Sequence, residues 1–309
     1  MQVRLAFVER NRLQKATGSA VHLARLPKRS VHSNSRLCQD KAREQIPVET
    51  LHAQAHLRVE ANPSACFDEE LLKCLLQWFK GEYFKWVDAP PCDNCNLTTT
   101  SVGAAPATPE ESRHGGHRVE LYMCVTCRAH TRFPRYNDPA KLMETRRGRC
   151  GEWANVFTLF CKAMGYEARY VLDFTDHVWT EVYSQRQKRW IHCDSCEGEG
   201  SFDNPLLYEA GWGKKLDYAF AFSAVEVVDV IRRYTAKIDE VRQRRTLVDE
   251  AWLKNALEAL TLNRRAGLSP SARAEVEARS LLEAQELSAV RVTPTAGALA
   301  PRQSGSVEW

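Results

Sequence analysis

Residues 143–171 read METRRGRCGEWANVFTLFCKAMGYEARYV, and Cys150 within them decides how the rest of the chain is read. From Cys150 to Met164 the apolar residues Phe157, Phe160 and Met164 recur at helical spacing, and Gly165 supplies a stop. A thiol needed only for packing belongs inside that stripe, where the pattern places Cys161. Cys150 falls instead in the first turn, where unpaired backbone N–H groups and the positive end of the helix dipole favour a thiolate. Arg146, Arg147 and Arg149 just upstream add positive charge. The placement predicts a nucleophile.

A nucleophilic cysteine needs a base, and the base needs a group to orient it. Three strand-like segments follow the helix: EARYVLDF, HVWTEVYS and KRWIHCDS. If the last two form an antiparallel hairpin closed by the loop Ser184-Gln185-Arg186-Gln187, Tyr183 faces Lys188, Glu181 faces Trp190 and Trp179 faces His192. His177 then lies directly opposite Asp194, at roughly 4.5–5.5 Å between Cβ atoms. That separation suits a carboxylate holding an imidazole in one tautomer. The predicted set is Cys150 as nucleophile, His177 as base and Asp194 as orienter. His192 is the rival base, but it is two residues from Asp194 on the same strand.

A second constellation lies upstream. Cys92-x-x-Cys95 and Cys124-x-x-Cys127 are two close pairs separated by 28 residues. Four thiolates suit a tetrahedral zinc ion, and four protein sulfurs leave no position for water, so one structural zinc is expected. It would staple the polar segment between the pairs. TTTSVGAAPATPEESRHGG reads as loop by composition and HRVELYMCVTC as a strand running into a knuckle.

The totals fit this picture. The 309 residues suffice for a sizeable core, and a net charge of +4 gives no argument for a nucleic-acid partner. No run of about 18 apolar residues predicts a membrane span. An odd count of eleven cysteines argues for metal ligands and free thiols over a disulfide framework. Residues 1–62 are expected to be a basic, largely disordered arm with at most a short helix near 41–58; an organelle transit peptide is its alternative reading. FDEELLKCLLQWFKGEYF carries a helical stripe. The catalytic core is expected over 63–235, with the zinc-binding subdomain near 90–130. A charged helical appendix over 236–288, interrupted at AGLSPS, and a disordered tail over 289–309 complete the division. The fold class is α+β, with a nucleophile helix packed on an antiparallel sheet.

RFPRYNDPAKLMETRRGRCGEWANVF, DHVWTEVYS, RWIHCDSCEG and NPLLYEAGWGKKLDYAFAFS together resemble the cytosolic peptide:N-glycanase family. These are transglutaminase-like amidases that remove N-linked glycans from misfolded glycoproteins during ER-associated degradation. The resemblance covers roughly residues 65–235. It implies a papain-like transglutaminase core with a deep cleft, one structural zinc on the cysteine pairs and no organic cofactor. Carried over, the triad is Cys150, His177 and Asp194. The resemblance further implies that Trp86 and Trp179 lie near the cleft, with Trp86 helping to hold the oxyanion, and that Glu197 and Trp212 contact the glycan core. Its implied partners are denatured N-glycoproteins and ubiquitin-receptor shuttle proteins of the proteasome pathway. The implied location is the cytoplasm, with the nucleus second. A crosslinking transglutaminase or cysteine protease on the same core would share the triad. A non-catalytic scaffold like the DNA-damage recognition proteins would lack the nucleophile.

Overall fold

The fold begins earlier in the chain than composition suggests. A computed structural model of the protein describes residues 35–289, so the basic segment 1–34 and the tail 290–309 lie outside the described residues. Within the stretch expected to be a disordered arm, residues 36–61 form two helices, α1 (Arg36–Gln45) and α2 (Val48–Ala61). Ala42, Ile46, Leu51 and Ala55 are their buried contacts. Two of these four are alanines, which let a helix lie close to its neighbour while contributing little apolar area. So sparse a stripe reads as a solvated arm. Arg58 then ties α2 to a distant loop, donating to Glu199 Oε1 at 2.6 Å.

In α3 (Phe67–Trp78) the expected stripe is buried at Leu71, Leu72, Leu75 and Leu76, and Asp68, Glu69 and Glu70 complement the dipole of the first turn. Its end passes into a single π-helical turn, Phe79–Tyr83. That turn aims Phe79 edge-on at Trp153, Phe157 and Phe160, with ring centroids 5.3–5.7 Å apart.

After β1 (Lys85–Trp86), the strands β2 (Thr99–Ala105), β3 (Val119–Cys124) and β4 (His130–Pro134) form a small antiparallel sheet in that order. The segment read as loop therefore contains β2 and also α4 (Pro109–Arg113). β2 escapes a pattern search because its exposed residues are Thr, Ser, Val, Gly and Ala without alternation. Its order comes from pairing with β3, bulged between Ser101 and Gly103. α4 starts at a capping box between Thr108 and Glu111, a signal visible in TPEE.

The chain continues through α5 (Pro139–Thr145), β5 (Arg147–Gly148) and α6 (Cys150–Ala163). β5 runs parallel to β1, placing Trp86 opposite Gly148. The main sheet comprises β6 (Ala168–Asp173), β7 (His177–Ser184), β8 (Arg189–Cys193), β9 (Ala219–Phe222) and β10 (Val227–Asp229). Its order is β10-β9-β6-β7-β8, antiparallel throughout. One face of β7 meets α6: Thr180 Oγ1 lies 2.8 Å from Thr158 Oγ1, and Val178 clusters with Ala154 and Tyr170. Ala154 and Thr158 thus follow Val178 and Thr180 in the same direction, so α6 and β7 begin at the same end of the sheet.

The hairpin register differs from the expected one by two residues. Ser184 pairs Arg189, Tyr183 pairs Trp190 and Glu181 pairs His192. The loop is Gln185–Lys188, not 184–187, because Lys188 takes a left-handed conformation (φ 53°) and ends the turn. Ser184 Oγ accepts the Gln187 N–H at 3.0 Å and closes it. A shift of two keeps every side chain on its predicted face.

The three C-terminal helices, α7 (Ile238–Arg244), α8 (Glu250–Arg265) and α9 (Pro270–Ser288), occupy the stretch expected to be helical. They are not an appendix. Leu253 and Leu257 pack with Tyr218, Phe220 and Phe222 of the sheet. Glu283 of α9 reaches two buried guanidinium groups, accepting from Arg169 Nη1 at 3.0 Å and Arg233 Nη2 at 2.8 Å. Arg169 and Arg233 also hold Glu181, each at 2.6 Å. A charged helix in isolation looks like a solvated one; here its carboxylate completes a buried ion network. Glu283→Ala leaves both arginines short of a partner and is expected to cost about 3 kcal/mol. Glu277→Ala breaks only an exposed pair with Arg273 and is expected to cost less than about 0.5 kcal/mol. Urea denaturation of both variants checks this, and equal, small losses would return α9 to the status of an appendage.

Candidate active site

The first turn of α6 is held by a ring of charge. Arg149 caps the helix, its backbone N–H donating to Glu152 Oε2 at 2.9 Å. Its guanidinium donates to Val87 O, Asp88 O and both oxygens of Glu120 at 2.8–2.9 Å. Arg135 grips Glu152 with two bonds of 2.7 and 2.8 Å. Burial alone would raise the Glu120 carboxyl, but Arg149 and its other donors bring it down to about 2. A side chain at Gly148 would come within 2.4 Å of Glu152 Cβ, so this close approach requires glycine. The upstream arginines therefore do not form the free positive cluster expected from the sequence. Arg149 is neutralised by Glu120, while Arg146 bonds Gln45 and lies over the Tyr83 ring. The helix start remains as the positive element facing Cys150, which is half-buried at its first position.

His177 is the first residue of β7, at the end of the sheet where α6 also begins. Its Nε2 lies 2.7 Å from Asp194 Oδ2, and Cys150 is close enough to act on its charge. The ladder stops at Thr180–Cys193, so the two residues meet diagonally beyond it instead of as a direct pair. Burial opposes a charged imidazole, but the charge and hydrogen bond of Asp194, with help from Cys150, raise His177 to about 9. Burial likewise opposes a charged Asp194; His177 and the Cys196 N–H outweigh it and lower that carboxyl to about 2. Trp212 and Tyr208 flank the ring of His177, each with centroids 5.3 Å away. His192 does not compete as base. It is fully buried, its Nε2 is 2.7 Å from Tyr208 OH, and burial pushes it down to about 4.

The expected substrate contacts divide. Trp212 is partly exposed beside His177. Glu197, 6% exposed, follows Asp194 in the turn whose N–H bonds return to Asp194 O. Trp86 stands beside Gly148, but its indole N–H donates to Asp88 Oδ1 at 2.8 Å, so that donor is already engaged. Trp179 lies behind His177, with ring centroids 5.8 Å apart, and presents no surface of its own. It is 0% exposed, stacks near Tyr208 and donates to Tyr234 OH at 2.7 Å. Both faces of β7 are covered, which strand alternation cannot reveal. Tyr208, which touches both His192 and Asp194, went unnoticed although its segment, NPLLYEAGWGKK, stood out; its spacing of four from Trp212 was the available signal.

Cys92, Cys95, Cys124 and Cys127 bring their sulfurs within 4.8 Å of one another. Sulfurs bound at about 2.3 Å around one tetrahedral zinc lie about 3.8 Å apart, which these positions fit. The two knuckles repeat one geometry. Cys92 N donates to Leu97 O and Cys124 N to Ala129 O, both at 2.9 Å. Asn94 N and Thr126 N each approach the first sulfur of their pair at 3.4 Å. Asn96 and Arg128, one residue past each pair, both take positive φ. The cluster is built to hold one metal ion.

Residues 101–195 match the family model described as the transglutaminase-like superfamily, and residues 173–288 match the Rad4 transglutaminase-like domain. The peptide-N(4)-(N-acetyl-beta-glucosaminyl)asparagine amidase of Yarrowia lipolytica is 44% identical over 276 residues, 88% of this chain and 77% of that protein. The chain belongs to this amidase family. The amidases of Gallus gallus and Homo sapiens are 47% and 46% identical over 88% and 90% of this chain. The chain spans 42% and 43% of their lengths. A crystal structure of Rad4-Rad23 crosslinked to an undamaged DNA is similar with a TM-score of 0.53, at 16% identity, over 93% of this chain and 60% of that one. That likeness concerns the fold alone. It agrees with the α+β, transglutaminase-like architecture.

The His177–Asp194 pair links stability to pH. His177 is raised on folding, so its contribution is complete below its unfolded value of about 6.5 and is lost as pH climbs through about 9. Asp194 is lowered, so its contribution is complete above about pH 4 and is lost as pH falls through about 2. The stability advantage of the wild type over Asp194→Asn, read by urea denaturation, is therefore expected to be largest between about pH 4 and 6.5 and to shrink toward pH 9. A difference that stays level across that range would contradict the pairing.

Proposed function

We propose that the chain is a peptide:N-glycanase, hydrolysing the amide between an N-linked glycan and the asparagine side chain of denatured glycoproteins. The observation that carries this reading is the line Cys150–His177–Asp194 at the start of α6, in a chain of the amidase family. Cys150 gives its proton to His177, and its sulfur attacks the side-chain amide carbon of the glycosylated asparagine. First-turn N–H groups of α6, which no helical carbonyl can accept, stabilise the oxyanion. As the tetrahedral intermediate collapses, the carbon–nitrogen bond breaks and His177 protonates the departing glycosylamine. His177 then takes a proton from water, whose oxygen attacks the thioester; the carbon–sulfur bond breaks and aspartate remains. Asp194 keeps the imidazole oriented while it is neutral between these steps and favours its protonated form at either end.

In this reading Trp212, partly exposed beside His177, stacks on a sugar of the glycan core, and Glu197 borders the same region. The four-cysteine site takes one zinc ion, which has no open coordination position and holds the knuckle sheet against the start of α6. A thiol nucleophile works in a reducing compartment, so the proposal includes the cytoplasm as location and denatured N-glycoproteins as partners. Delivery by ubiquitin-receptor shuttle proteins belongs to the same proposal, as does the zinc assignment.

Mass spectrometry of a denatured high-mannose glycopeptide after incubation under reducing conditions tests the activity. The expected products are intact glycan and a peptide with aspartate at the glycosylated position, and Cys150→Ala slows their release at least about a thousandfold. Amine incorporation or backbone cleavage in place of glycan release would reassign the chain to crosslinking or proteolysis. Metal analysis of the same protein is expected to return one zinc per chain, lost in Cys124→Ser; a folded, zinc-free wild type would reject the metal.

A further inference from the structure

The carboxylate that orients His177 is itself oriented. Tyr208 OH donates to Asp194 Oδ2 at 2.9 Å, the same oxygen that meets His177 Nε2. On its other side Tyr208 OH is 2.7 Å from His192 Nε2. The proton inventory is determined by these contacts. An ionised carboxylate can only accept, so the single phenolic proton of Tyr208 points at Asp194. Burial and the neighbouring carboxylate push that phenol well above its ordinary value, so it stays a donor. Its lone pair is then left for His192, whose one proton in the neutral ring must sit on Nε2. Every proton in the line is directed toward Asp194. The remaining oxygen, Oδ1, accepts the Cys196 N–H at 2.9 Å.

We propose that Tyr208 is a positioning residue for the amidase reaction, oriented by His192, which holds the Asp194 carboxylate in the rotamer that His177 requires. The inference rests on the reading of Cys150, His177 and Asp194 as the reacting set. Tyr208 is fully buried and stands in the single π-helical turn Leu207–Gly211, whose carbonyls at Leu207 and Tyr208 accept the N–H groups of Trp212 and Lys214. The turn therefore positions two aromatic walls of His177 together. Tyr208 has no exposed surface to offer a substrate, so its action is through Asp194.

A carboxylate held by only one side chain can turn about its χ2 bond, and a turned Asp194 would still pair with His177 but tilt its ring away from the productive orientation. The Tyr208 bond also draws charge from the oxygen facing His177. Removing it concentrates that charge, so His177 keeps its proton to a higher pH. The other groups facing His177 do not oppose this. On α6 there is Cys150; on β6 the cross-strand neighbour Asp173 is paired with Lys214 at 2.6 Å; beyond Asp194, Glu197 ends the same turn. His192 faces Glu181 across the ladder.

Tyr208→Phe, compared with His192→Leu and His192→Gln, tests the proposal through the pH profile of glycopeptide hydrolysis. Loss of one charge-assisted hydrogen bond is expected to lower kcat about tenfold with KM nearly unchanged. The alkaline limb of the profile is expected to move upward by about half a pH unit. His192→Leu reproduces both effects, and His192→Gln, which keeps an N–H near the Nε2 position, is milder. Where a variant folds poorly, the limb is read on its folded fraction. An unmoved alkaline limb, a change confined to KM, or His192→Gln as damaged as His192→Leu overturns the proposal. If the wild type released no glycan, the failure would lie in the proposed activity, and alkylation of Cys150 by iodoacetate would replace hydrolysis. Its carboxylate is drawn to the imidazolium, so its rate falls as His177 loses its proton. The same upward shift in Tyr208→Phe supports the positioning role, and an unchanged profile rejects it.

Discussion

A fully buried carboxylate is the constraint on which the site depends. Asp194 is 0% exposed, and an ionised group there is tolerable only if each oxygen finds donors. It finds them in three separate pieces of chain: His177 at the start of β7, Tyr208 in the π-helical turn, and the Cys196 N–H in the following turn. Satisfying Asp194 therefore brings those pieces together, and with them the imidazole to the sulfur. The chemistry and the packing have one cause. A neutral Asp194 would loosen the aromatic walls of His177 as well as its charge.

Two outer networks hold that centre from opposite sides. On one, Arg135 and Arg149 join Glu120 and Glu152, so the start of α6 is fastened to the knuckle sheet. On the other, Arg169 and Arg233 join Glu181 and Glu283, so β7 is fastened to α9. Trp179 connects the second network to the site. Its indole bonds Tyr234, which donates to Glu181, and its ring lies against Tyr208. A tryptophan beside the triad can thus matter without meeting substrate. Its substitution would loosen the turn that carries Tyr208.

How much of this the sequence disclosed depends on the range of the interaction involved. Cys150 was legible because helix spacing and a stop at Gly165 are local, and the knuckles because ligand spacing is local. The pairing of His177 with Asp194 was reached through a register wrong by two residues. It survived because such a shift preserves the face and a diagonal pair is still within reach. Lys188 caused the error: nothing in its side chain announces a left-handed backbone. The short helix allowed near 41–58 is two packed helices, α1 and α2, and β2 went unread, because Ala42, Ala55 and the run from Thr99 to Ala105 gain their order from partners far along the chain. The burial of Trp179, the engagement of the Trp86 indole by Asp88 and the role of α9 are likewise tertiary facts. Peptides of those segments would not display them.

Acid-quenched mixing of the enzyme with a denatured glycopeptide, followed by peptide-level mass spectrometry, addresses the central claim most directly. A covalent intermediate is predicted in which the peptide is joined, through the acyl carbon of its former asparagine side chain, to the sulfur of Cys150 and to no other residue. Glycan release that proceeds with Cys150 unmodified at every time point, or with the acyl group on a different cysteine, would contradict the account.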